Sequence, residues 1–79
     1  MNIDTLTKMA AKWPSPIVAR AEVGLFTGGG IKPKTLANAD SKKEGPKERF
    51  IMGRRVCYPV PALVEWLSLN IKEVSNGAN

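Results

Sequence analysis

Lys34, Asn38 and Ser41 follow one another at spacings of four and three, so on a helix they place an ammonium, an amide and a hydroxyl along one stripe. Lys42 borders that stripe, Lys32 precedes the helix, and Arg54-Arg55 follows Gly53 a short way down the chain. These groups carry positive charge and donate hydrogen bonds, which is the chemistry needed to hold phosphate oxygens and acceptor-rich base edges. Between Lys32 and Arg55 there are eight basic residues (Lys32, Lys34, Lys42, Lys43, Lys47, Arg49, Arg54, Arg55) and three acidic ones (Asp40, Glu44, Glu48). The rest of the chain holds four of each sign, so the entire formal net charge of +5 lies in this window. Charge concentrated in this way is suited to a polyanion. A solvated helix face carries the same residue types on many proteins, and composition alone does not separate the two readings.

The same inventory argues against catalysis. The 79 residues contain no histidine and a single cysteine, Cys57, which removes the usual general base, a Cys/His nucleophile pair, a cysteine zinc site and an internal disulfide. The seven carboxylates are scattered singly. Gly28-Gly29-Gly30 resembles the start of a phosphate-cradling loop, but it runs into Ile31-Lys32-Pro33-Lys34-Thr35 and lacks the Gly-Lys-[Ser/Thr] ending. No enzymatic activity, cofactor, metal or small-molecule substrate is expected. No apolar run approaches the roughly 20 residues that span a bilayer, and no leader pattern is present at the N-terminus. A cytoplasmic setting with Cys57 reduced and no membrane partner is the expectation.

The elements that must position the basic groups can be read in order. Ile3, Leu6, Ala10 and Trp13 have amphipathic helical spacing, and Pro14 and Pro16 end it. Ala19 to Phe26 fits a helix of about two turns, with β-branched Ile17 and Val18 before it and the three glycines after. Pro33 suits the first position of a second helix running to Ser41, whose inward side holds Leu36 with Pro33, Ala39 and Asp40. Ser41 to Lys47 is loop. Arg49 to Tyr58 reads as a hairpin around a three-residue Gly53-Arg54-Arg55 loop, which would gather Phe50, Met52, Val56 and Tyr58 on one face and turn Ile51 and Cys57 outward. Pro59-Val60-Pro61 breaks the strand and starts a last helix with Leu63, Trp66, Leu67 and Ile71 on its apolar side. Trp66 reads as a core anchor rather than a ligand-stacking ring.

The runs Lys32-Pro33-Lys34-Thr35-Leu36-Ala37-Asn38, Glu44-Gly45-Pro46, Gly53-Arg54-Arg55-Val56-Cys57-Tyr58 and Leu63-Val64-Glu65-Trp66-Leu67 resemble the small winged-helix proteins of the phage excisionase and AlpA-type group, related to MerR-type DNA-binding domains. The resemblance spans about Ile17 to Leu67. It implies that the helix after the glycine turn enters the major groove of duplex DNA, bringing Lys34, Thr35 and Asn38 to it, while Arg54 and Arg55 on the hairpin reach backbone or minor groove. Lys32 departs from the group's pattern, since a serine or threonine cap is usual before the helix proline.

The expected architecture is mainly α with a two-stranded β-hairpin wing, a winged helix-turn-helix over 17–71. Residues 1–16 form an N-terminal extension with a helical pattern, and 72–79 a flexible tail. The expected DNA-binding residues are Lys32, Lys34, Thr35, Asn38, Ser41, Lys42, Arg54 and Arg55. The expected role is an excisionase-like recombination directionality factor or small phage or prophage regulator acting on double-stranded DNA, with an integrase or recombinase, or further copies on adjacent sites, as partners. An AlpA-type transcription regulator would use the same domain. A protein-interaction adaptor that has lost DNA binding is the rival from another class, favoured by Asp40, Glu44 and Glu48 and opposed by Arg54-Arg55.

Overall fold

Two prolines stop the first helix, α1 (Ile3–Lys12), and the chain turns into a short strand, β1 (Ile17–Ala19). A computed structural model describes residues 3–71; the expected tail, 72–79, lies outside the described residues. After β1 come a 3₁₀ turn (Arg20–Glu22), α2 (Val23–Phe26), α3 (Pro33–Ser41), β2 (Phe50–Met52), β3 (Arg55–Pro59) and α4 (Val60–Asn70). The strands form one antiparallel sheet in the order β1-β3-β2. The described residues therefore make a mixed α/β domain of four helices and three strands.

Three expectations need correction. The sheet has three strands rather than two, because Ile17–Ala19 pairs with the far half of β3, Val18 opposite Tyr58. Three residues are too few to show alternation, and their partner lies some forty positions away. The helix expected from Ala19 begins only at Val23, since β1 and the 3₁₀ turn take the earlier residues. The hairpin closes through two residues, Gly53-Arg54, with Met52 opposite Arg55 and Phe50 opposite Cys57. Gly53 has φ +66° while Arg54 does not have positive φ, the pattern of a turn whose twist matches that of the strands. Turn chemistry thus outweighs the gathering of apolar groups: Phe50 and Met52 share a face with Cys57 and Arg55, and Cys57 is buried.

The core gathers Leu6, Val18, Val23, Phe26, Leu36, Tyr58, Leu63, Trp66 and Leu67, so every helix and the strands β1 and β3 contribute, while β2 does not. Trp13 packs edge-on against Phe26 with ring centroids 5.3 Å apart, and its indole N–H donates to Ile17 O at 2.8 Å. The Val60 N–H donates to Pro16 O at 2.9 Å, joining the start of α4 to the start of β1. Trp66 closes the other end: its indole N–H donates to Glu44 O at 2.8 Å and pins the loop after α3 onto α4.

Truncating Trp66 removes the largest core ring and strands that carbonyl. Trp66→Ala is expected to cost about 3–5 kcal/mol, enough to unfold so small a domain. Urea denaturation followed by circular dichroism checks this, and a variant as stable as the parent would place the core elsewhere.

Candidate nucleic-acid interface

Helix α3 starts at Pro33, whose missing N–H would have had no partner in the first turn. Its N-cap, Lys32, makes no side-chain cap bond, and its carbonyl accepts from Thr35 N–H (3.0 Å) and Leu36 N–H (3.3 Å), so of the first turn only the Lys34 N–H stays open at the positive end of the helix dipole. Leu36 and Asp40 are buried, while Lys32, Lys34, Thr35, Asn38, Ser41 and Lys42 are all exposed. At 100° per residue, Lys34 and Asn38 point most directly outward, Ser41 lies toward the Asp40 side, and Thr35 and Lys42 lie on the other. Thr35, Asn38 and Lys42 line one open cleft with Glu44, Trp66 and Asn70, between α3 and the end of α4.

The C-terminus of α3 is closed by two bonds, Lys43 N–H to Asp40 O (3.0 Å) and Glu44 N–H to Ala39 O (2.8 Å). Helix α2 ends in the same way, with Gly28 at the left-handed position, φ +64°. In α3 that position is filled by Lys43, at φ +61°. A lysine there costs about 1–2 kcal/mol relative to an ordinary conformation. It holds a cation at the end of the exposed stripe.

What joins this helix to the hairpin is Asp40. Its Oδ2 accepts from Arg20 Nη2 at 2.6 Å and from Tyr58 Oη at 2.5 Å. Arg20 Nε also donates to Tyr58 Oη, at 3.0 Å. Asp40 Oδ1 is buried without a hydrogen-bond partner and faces Arg49 Nη1 at 3.8 Å. Gly45 lies directly over Oδ1, where a Cβ would overlap it. Burial, and then the bond to Asp40, push the Tyr58 hydroxyl up to about 12. Burial works against the Arg20 guanidinium's charge, but its bonds to Tyr58 and Asp40 prevail and its pKa is raised.

Ile51, Val56 and Tyr58 lie on one face of the hairpin by their pairing and alternation. Because Tyr58 and Arg49 both reach Asp40, that face is the one turned toward α3. From Tyr58 the strand runs about 10 Å to Arg55, and from Asp40 the helix runs about 9 Å back to Lys34. Two arms therefore leave one junction. Arg54 sits in the turn, Arg55 begins β3, and both are exposed.

Among the described residues, Lys32, Lys34, Lys42, Lys43, Arg54 and Arg55 have no carboxylate within 4.0 Å, whereas Arg20 and Arg49 pair with Asp40 and Lys47 with Glu65 at 3.6 Å. Sequence reasoning placed Asp40 on the inward side of α3 but did not find Arg20, Arg49 and Tyr58 around it. A carboxylate on an apolar helix face needs a partner, and that was the available signal. No group of His, Cys, Asp or Glu able to hold a metal occurs among the described residues, and none of their helices is long and apolar enough to cross a membrane. No protein-family model, curated protein or solved structure matches the chain.

The raised Tyr58 value has a pH consequence. The unfolded phenol loses its proton near 10 and the folded one near 12, so the contribution of Tyr58 is complete below pH 10 and is lost as pH rises through about 12. Stability measured by urea denaturation over that window is expected to fall more steeply for the parent protein than for Tyr58→Phe. Parallel profiles would contradict the buried bond.

Proposed function

We propose that this chain is a winged helix-turn-helix protein that binds double-stranded DNA, with α2 and α3 as the helical pair and the β2–β3 hairpin as the wing. The observation that carries the reading is the set of six cations without a carboxylate within 4.0 Å, on α3, its two caps, the adjoining Lys43 and the hairpin tip, while Asp40, one of the three acids in the window, is buried and already paired. In this reading Lys34, Thr35 and Asn38 face the major groove, with Asn38 placed to read a base edge and Lys32, Lys42 and Ser41 holding phosphates beside it. The free Lys34 N–H in the first turn of α3 adds one amide donor for an anion. Arg54 and Arg55 engage the neighbouring minor groove or its phosphates.

The role that the resemblance favours is an excisionase-like recombination directionality factor or small phage or prophage regulator, working in the cytoplasm beside an integrase or with further copies on adjacent sites. An AlpA-type regulator would show the same domain, and a footprint beside an integrase attachment locus or at a promoter decides between them. A protein adaptor is the weaker reading, because a surface retained only for protein contacts has no need of six uncompensated cations.

Salt dependence tests the proposal. With about 3–5 phosphates neutralised, log affinity for duplex DNA is expected to fall against log salt with a slope near −3 to −4. Arg54→Ala/Arg55→Ala is expected to leave stability within about 1 kcal/mol, yet to reduce affinity at least about ten-fold and flatten the slope by about two. A flat salt response, or a double variant that binds normally, contradicts it.

Lys43 offers an independent check. Lys43→Gly relieves the left-handed strain and is expected to stabilise the fold by about 1 kcal/mol. In the same protein DNA affinity is expected to drop several-fold, because a phosphate contact is lost. A variant that gains stability with unchanged affinity would remove Lys43 from the interface.

A further inference from the structure

Strand β2 is an edge strand, and all three of its residues, Phe50, Ile51 and Met52, are exposed despite being large and apolar. Ile51 is the most open, at 72%. An apolar, uncovered edge is a liability that proteins do not leave without cause. Its setting limits what could cover it. Residues 49–59 contain three arginines and no carboxylate, so a second copy pairing edge to edge would set like charges against each other. An anionic partner is favoured instead. Ile51 also lies on the hairpin face turned toward α3, two residues beyond Arg49 and just before the Gly53-Arg54 turn.

Within a polyanion, phosphates offer a branched alkyl group nothing. Apolar surface is offered by thymine methyls in the major groove, which α3 occupies in this reading, and otherwise by sugar edges and the base steps of the minor-groove floor. Arginines beside it favour the same groove where A·T-rich sequence narrows it. We propose that Ile51 is an apolar wedge which enters the minor groove between Arg49 and the Arg54-Arg55 tip, partly unstacks a base step and bends the duplex. This rests on the DNA-binding reading above and adds to it a deformation of the DNA and the side chain that causes it.

The test uses the full chain and an A·T-rich duplex with a central T-A step, carrying a fluorescent donor and acceptor at its two ends. Binding is followed by anisotropy and bending by energy transfer, for the parent protein, Ile51→Ser and Ile51→Val, with thermal melts confirming that each is folded. The parent is expected to bind and to bend the duplex by about 20° or more. Ile51→Val is expected to bend it nearly as far. Ile51→Ser is expected to bind with less than about a ten-fold loss of affinity and to leave the duplex straight. Ile51→Ser bending as the parent does would overturn the wedge. So would a parent protein that binds without bending, and that outcome leaves DNA binding intact. Failure of the parent to bind at low salt would overturn both. A parent dimer that Ile51→Ser dissolves, with bending unchanged, would assign Ile51 to a contact between copies.

Discussion

One buried carboxylate joins helix α3 to the hairpin. Asp40 is 6% exposed, and it collects Arg20 from the turn after β1, Tyr58 from the central strand and Arg49 from the approach to β2. A charge taken out of water must be paired, and removing one partner leaves the other stranded at a cost of roughly 3–5 kcal/mol, reduced here by the partial exposure of the arginines. Replacing a whole buried ion pair with apolar groups is often neutral, so net stability is a poor reason for its presence. Its consequence is geometric. The junction fixes the end of α3 against the root of the hairpin, and the two basic arms project from it at a set angle.

The junction also shapes the electrostatics. The basic window contains three acids, and Asp40 among them is buried and paired. Glu44 remains exposed, but its carbonyl is held by Trp66, which keeps the loop down on α4. Lys43 fills a left-handed position that Gly28 fills in the equivalent cap of α2. Local backbone strain and an uncovered apolar edge both occur beside the same cationic surface. Each is a cost to the isolated fold, and a polyanion bound there would offset both.

Much of this was legible in the sequence because it is local. Pro33 and the placing of Leu36 located α3 and its outward stripe, and Leu63, Trp66 and Leu67 located α4. The candidate residues came from charge, helical period and, for Thr35, the family resemblance, and all of them stand exposed. The rest depends on partners distant in the chain. Strand β1 is three residues long and exists through its pairing with β3, and the hairpin register followed the Gly53 turn rather than the grouping of apolar side chains. Asp40 looked like one more acid near a basic site. Only its meeting with residues 20, 49 and 58 shows it to be the joint between the arms.

The most direct measurement is a titration of isotope-labelled protein with a short A·T-rich DNA duplex, followed by amide chemical shifts. If α3 and the hairpin form one DNA-facing surface, the amides of Lys34, Thr35, Asn38 and Lys42 should move together with those of Arg54 and Arg55, along one saturation curve. Shifts confined to one arm, or centred on α1 and the far side of α4, would contradict a joint surface built on Asp40.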